Sequence, residues 1–351
     1  ITNSTFRYNA DGVEADEGAS PTLTGNTFIE NSHPVTIYAA RIDSNLYDNT
    51  YLDNTNNYIE VQHDYLNEDR TYDWLADGAP YVIVGDVYVQ RGDHPSEVSI
   101  LKIHPGTVVK FGSDDHLYVG HPDNDHFRGA LQADGVTFTR LSEEGYWPHI
   151  LFRHMSVDEQ SYLDNCVIEY ANDGVYCASS DPTITNSTFR YNIDGVEADG
   201  SSSPILSGNT FTSNQYPVKI YGNEIDGNLY DNPYQDNMLP DSSLSDYIYV
   251  YGEGSSGQTE FLQGNKTYHW LRDGAPYRLT DHIYIHGDNN DSYLTTLKIY
   301  PQTIISIEHD RYIWVGHTDN ANYNGALQAD SVTFTSTDTS QKFGSISFNS
   351  H

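Results

Sequence analysis

Three stretches decide the reading of this chain when laid over one another: LDNCVIEYANDGVY at 163–176, ITNSTFRYNIDGVE at 184–197 and LSGNTFTSNQYPVK at 206–219. Leu163, Ile184 and Leu206 fall 21 and 22 residues apart, as do Ile168, Phe189 and Phe211, and Val175, Val196 and Val218. The same step joins Ile1 to Leu23, Phe6 to Phe28, Asn9 to Asn31 and Val13 to Val35. Short apolar bursts at a fixed period, separated by Asn, Gly or Pro, predict a solenoid in which each coil lays its strands on those of the coil before.

Within the bursts the apolar residues alternate, which is the period of a strand: Val87-Tyr88-Val89, Leu117-Tyr118-Val119, Val136-Thr137-Phe138 and Ile150-Leu151-Phe152. Alternation puts Val175, Cys177, Val196 and Ala198 inside, with Tyr176 and Glu197 outside. Matched Asn residues, Asn9 with Asn31 and Asn165 with Asn186, suit turns because Asn tolerates left-handed backbone angles. Stacked on one another, their side chains would hydrogen-bond in a ladder. Helical apolar periodicity never exceeds about two turns, which argues against a TIM barrel or a helical solenoid. The fold class expected is all-β: a right-handed parallel β-helix with coils of 21–22 residues and longer loop insertions.

A second, longer repeat encloses the first. ITNSTFRYN at 1–9 recurs letter for letter at 184–192, and NLYDN at 45–49 recurs at 228–232, both at an offset of 183. For DGAPY (77–81 and 273–277), GALQAD (129–134 and 325–330) and VTFT (136–139 and 332–335) the offset is 196, so 13 residues entered the second copy after Asn49. The expected organisation is one continuous rod, 1–351, of two tandem copies at 1–183 and 184–351. The second copy breaks off in mid-phase and the chain opens on Ile, so we expect a segment of a longer repetitive chain.

The run SYLDNCVIEYANDGVYCASSDPTITNSTFRYN (161–192) resembles the parallel β-helix repeats of the pectate-lyase-like superfamily. APYVIVGDVYV (79–89), LKIHPGTVVKFG (101–112) and GALQADGVTFT (129–139) are similar to repeat segments of large secreted or cell-surface β-helix proteins. The resemblance spans nearly the whole chain and is specific for fold. It implies either polysaccharide lyases and hydrolases or adhesins and surface-layer proteins without catalysis, since fold does not fix function.

Composition narrows the partners. Seventeen basic residues against 50 acidic ones give a net charge of −33, which disfavours nucleic acid and anionic bilayers. No apolar run approaches the roughly 18 residues of a membrane span. Twenty-nine Tyr, 12 Phe and 4 Trp supply enough aromatic surface to argue against disorder. The two cysteines, Cys166 and Cys177, are read either as buried thiols or as one cross-core disulfide.

Four groups of residues are candidates for sites. Outward aromatics recur between copies, Tyr88 with Tyr284 and Tyr118 with Trp314, and Tyr247, Tyr249 and Tyr251 alternate with Ile248 and Val250. Such a stripe either stacks on sugar rings or a partner chain, or stacks on itself between coils. The loops VGHPDNDH (119–126) and VGHTDNAN (315–322) offer Asp123, Asp125 and Asp319 as oxygen ligands for Ca2+, against the plainer reading of solvated turns. Acid clusters Asp11/Glu14/Asp16 and Asp194/Glu197/Asp199 recur, as do the basic pairs Arg7/Arg190 and Lys102/Lys298, but nothing groups them into a catalytic cleft. Sequons stand at Asn3, Asn186, Asn265 and Asn290.

Duplication of a whole unit favours reach or valency over catalysis, because an active site needs unlike residues converging once. The expectation is a non-catalytic extracellular or cell-surface structural or adhesive protein, self-associating end to end into a filament or layer. The alternative is a secreted lyase or carbohydrate-binding β-helix acting on acidic extracellular polysaccharide with calcium.

Overall fold

The computed structural model describes residues 1–92, 94, 96–252, 260–287, 293–317, 324–338 and 340–349. Its contacts divide into two compact units, Ile1–Ile193 and Asp194–His351. Among the described residues no helix is long and apolar enough to cross a membrane.

In the first unit, chain segments about one period apart pair in parallel and in register. Phe6 sits beside Phe28, and Phe28 beside Tyr51, where Thr5–Arg7, Thr27–Ile29 and Thr50–Leu52 pair. A second face stacks Thr71–Trp74, Ser99–Ile103, Gly129–Asp134, Tyr162–Asp164 and Thr183–Thr185 in succession. The expected columns are there: Leu163 pairs with Ile184 and Ile168 with Phe189, all fully buried. Val175 and Cys177 face inward and Tyr176 outward, as alternation requires. Ile1 departs from its column and lies 55% exposed.

The second unit repeats the plan. Asp194–Ala198, Tyr216–Tyr221, Ile248–Tyr251, Tyr277–Leu279, Ile304–Ile307 and Thr333–Ser336 follow one another as parallel neighbours. Thr267–Trp270, Leu294–Ile299 and Asn324–Ala329 form another face. Ring columns add directional packing to burial: Phe28 lies 4.8 Å from Phe6 and 5.2 Å from Tyr51, and Phe211 lies 5.1 Å from Tyr234. Each such stack contributes roughly 0.5–1.5 kcal/mol beyond the burial itself.

Asparagine makes the corners. Asn26 donates from its N–H and Nδ2 to Asn49 Oδ1 at 3.0 and 3.1 Å, and Asn9 and Asn31 extend a second ladder to Asn54. In the second unit Asn209 donates to Asn232 and Asn214 to Asn237. These amides satisfy backbone groups that the bend between two strands would otherwise bury unpaired. The left-handed residue is the one before each ladder Asn: Tyr8, Glu30 and Asp53 at φ 61°, 53° and 51°. The expectation for Asn165 and Asn186 needs correcting in the other direction. Both are left-handed, at φ 52° and 50°, but each donates its Nδ2 to Asp164 and they form no Asn–Asn ladder.

The DGAPY motif ends a ladder in both units. Asp77 takes the N–H and Nδ2 of Asn49 at 2.8 and 2.9 Å, and the Tyr51 hydroxyl at 2.9 Å. Asp273 does the same for Asn232 and Tyr234. The following glycine allows the close approach: a Cβ on Gly78 would lie 2.0 Å from the Asn49 carbonyl oxygen, and on Gly274 1.9 Å from that of Asn232. Tyr81 and Tyr277 then donate their hydroxyls to the Leu75 and Leu271 carbonyls, both at 2.8 Å.

Candidate functional surfaces

The outer face of one sheet in the first unit carries the densest assembly of polar and aromatic side chains. A bulge at Gly85, φ 87°, breaks the strand Tyr81–Val89 into two registers. Beyond it, Val87 and Val89 point inward, so Tyr88 points outward between Tyr65 and Tyr118 of the neighbouring coils. The three rings stack at 4.7 and 4.8 Å. Arg153 lays its guanidinium 3.7 Å from the Tyr118 ring centre, and burial holds that guanidinium below its usual pKa.

Two residues before Tyr88, Tyr118 and the register-matched Leu151 lies a second outward row that sequence reading missed. Asp86 precedes Tyr88, His116 precedes Tyr118 and His149 precedes Leu151, so alternation alone places them on one face. Asp86 accepts the His116 backbone N–H at 3.1 Å, pairs with its Nδ1 at 2.9 Å and accepts the Tyr88 hydroxyl at 3.1 Å. His149 pairs through Nδ1 with Asp173 at 3.2 Å, and the two imidazoles lie 5.0 Å apart. Burial first, then Asp86, pushes the Tyr88 phenol up to about 12.

In the second unit Tyr284 and Trp314 occupy the equivalent positions, 4.3 Å apart, with Tyr312 stacked on Trp314 at 4.9 Å. Here Tyr312 replaces His116, His282 replaces Asp86 and Asn349 replaces Arg153. The aromatic pair is kept, tilted by 40° rather than stacked, and its charged neighbours are not. Tyr247 and Tyr249 form a separate cluster. Tyr249 is only 5% exposed: Tyr216 and Tyr247 meet its ring edge-on, Arg278 lies 5.3 Å from its centre, and its hydroxyl bonds Ser245. It offers no open face to a sugar.

The recurring acid cluster has two forms. In the first unit Asp11, Glu14 and Asp16 line a groove of about 310 Å³ with His33, Thr36 and Glu60. In the second, Lys219 stands where the first has Thr36, and its ammonium lies 2.7 Å from Asp194 and 3.1 Å from Glu197. The paired cations Arg7 and Arg190 are taken up by Glu30 and Glu169 of adjacent coils. Lys102 and Lys298 lie half-buried on outward strand positions.

Asp123 and Asp125 are exposed in a loop organised by His121, whose Nδ1 accepts the N–H groups of Asp123 and Asn124, both at 3.1 Å. Asp125 pairs with His126 at 3.4 Å, and among the described residues no third acid closes on either carboxylate to build an oxygen cage. Asp319 and the sequon at Asn290 lie outside the described residues. Asn3, Asn186 and Asn265 are exposed in left-handed turns. Cys166 and Cys177 are both buried and are not joined by a disulfide, which leaves the reading as two buried thiols.

A family model described as the right handed beta helix region matches residues 154–275. No curated protein and no solved structure matches the chain.

Proposed function

We propose that this right-handed parallel β-helix repeat protein is a non-catalytic scaffold of the extracellular surface, structural or adhesive, whose copies multiply one platform. The observation that supports this reading is the division between what the copies keep and what they change. DGAPY ends an Asn ladder in both units, and both keep an aromatic pair on an outer face, stacked in the first and tilted by 40° in the second. The polar groups beside that outer face are not kept: His116 becomes Tyr312 and Arg153 becomes Asn349, and beside the retained acids Thr36 gives way to Lys219. Selection for coil stacking leaves this pattern, whereas a duplicated active site would retain its proton donors. Because the tyrosines stack face to face, they present edges to solvent, which suits a partner surface better than a sugar ring. Self-association of copies end to end belongs to the same reading, since unpaired strand edges recruit further strands.

One observation favours the alternative, a secreted protein acting on acidic polysaccharide. Arg153, His116 and His149 lie beside Tyr88 and Tyr118 on the first unit, so a uronate carboxylate would find a cation and a proton carrier there. Incubation with pectate, alginate and a glycosaminoglycan separates the two. The scaffold reading predicts neither absorbance from unsaturated uronates nor new reducing ends above background. Release of either, abolished by Arg153→Ala, would establish the enzyme.

A further inference from the structure

Lys219, Asp194 and Glu197 form an assembly that an ordinary surface ion pair does not need. Lys219 lies opposite Glu197 where Tyr216–Tyr221 pairs with Asp194–Ala198, and its Nζ reaches diagonally to Asp194. Nζ is 2.7 Å from Asp194 Oδ2 and 3.1 Å from Glu197 Oε2. Asp194 is buried, with its side chain 7% exposed, and its second oxygen, Oδ1, is buried with no hydrogen-bond partner among the described residues. The ring of Tyr216 lies 5.5 Å from the ammonium, and the Tyr251 hydroxyl donates to Glu197 Oε1 at 3.3 Å.

We propose that Lys219 and Asp194 condense into an isopeptide bond that staples one coil of the second unit to the next, with Glu197 as the proton acceptor. Glu197 takes a proton from the Lys219 ammonium, and the freed Nζ lone pair attacks Cγ of the protonated Asp194 carboxyl. The C–N bond forms, the C–Oδ2 bond breaks, and Oδ2 leaves as water with its own proton and the second proton lost from nitrogen. Ammonium, carboxylic acid and carboxylate become amide, water and the protonated Glu197, so atoms and charge balance with no oxidant, reductant or activated co-reactant.

Three features favour condensation over a lasting ion pair. The reacting groups are held at contact distance, which replaces a bimolecular encounter by an intramolecular one. Burial raises the Asp194 carboxyl above the ordinary carboxylate range, against the pull of Lys219, which favours the neutral acid, the form that can lose water. The lone buried Oδ1 is costly on a carboxylate but cheaper as the carbonyl of a neutral amide. The first copy lacks the nucleophile, since Thr36 replaces the lysine beside Asp11 and Glu14.

The test is mass spectrometry of the full chain, denatured and then digested with trypsin. The expected intact mass is lighter by one water. The digest should contain one uncut peptide 191–266 carrying that loss, because an acylated Lys219 is no longer a cleavage site. Peptide 8–41 of the first copy should keep its full mass. Glu197→Gln should return the full mass and cleavage after Lys219 while the far-ultraviolet circular dichroism stays that of the folded chain. A wild-type chain of full mass, cut after Lys219, overturns the proposal. Loss of water from peptide 8–41 as well would make the loss non-specific and overturn it equally. Retention of the loss in Glu197→Gln overturns the part given to Glu197.

Discussion

Asn232 and Asp273 meet across 41 residues of chain, the asparagine donating its backbone N–H at 2.7 Å and its Nδ2 at 2.9 Å to the two carboxylate oxygens. Asn49 and Asp77 make the same arrangement in the first unit. Removing the acceptor strands two amide donors and a tyrosine hydroxyl away from water. Asp273→Ala should therefore cost about 3–5 kcal/mol of stability, and Asp77→Ala a similar amount, read as a shift of the urea midpoint.

The glycine after each of these aspartates is required by space. A methyl on Gly78 or Gly274 would enter the carbonyl oxygen of Asn49 or Asn232. Gly78→Ala and Gly274→Ala should each destabilise by ~3 kcal/mol, whereas Gly145→Ala, with open space around it, should pay only the strain of its φ of 80°. Thermal unfolding of the three variants checks the order.

Asp273 also predicts a pH dependence. Burial, outweighing the hydrogen bonds from Asn232, raises its carboxyl above the ordinary 3.8. Between the unfolded and folded values the native chain holds a proton that the unfolded chain has released. Its contribution to stability is thus present at low pH and lost as pH rises through that window. The difference in melting temperature between wild type and Asp273→Asn should shrink as pH increases upward from about 4. A difference that is constant with pH would refute the assignment.

Cys166 and Cys177 should behave as inert thiols. Burial pushes the Cys166 thiol up to about 12, leaving almost no thiolate at neutral pH. An aromatic disulfide reagent should find no reactive thiol in the folded chain and both after unfolding in denaturant without reductant. Reactivity of neither after unfolding would mean a disulfide.

Much of the fold was legible in the chain because burial in a β-helix obeys spacing. Leu163 beside Ile184 and Ile168 beside Phe189 follow from a period that side-chain alternation cannot disguise. The outward setting of Tyr88 and Tyr118 followed from the same rule. The surfaces were less legible, because their partners come from neighbouring coils whose loops differ in length. Tyr249 alternates like an exposed residue, yet Tyr216 and Arg278 from adjacent coils cover it. The ladder ends were hidden likewise: Asn49 to Asp77 spans 28 residues and Asn232 to Asp273 spans 41, so no fixed period joins them. Asp86 and His116 could have been found two residues before each tyrosine, had the outward row been read as well as the inward one.

The two copies keep the groups that join coil to coil and change those around the outer aromatics. Urea unfolding of Asp77→Ala beside Arg153→Ala measures this most directly. Loss of the retained aspartate should cost several kcal/mol, and loss of the unretained arginine, a partly buried contact on the face of Tyr118, about 1 kcal/mol or less. Equal costs, or a greater cost for Arg153→Ala, would contradict it.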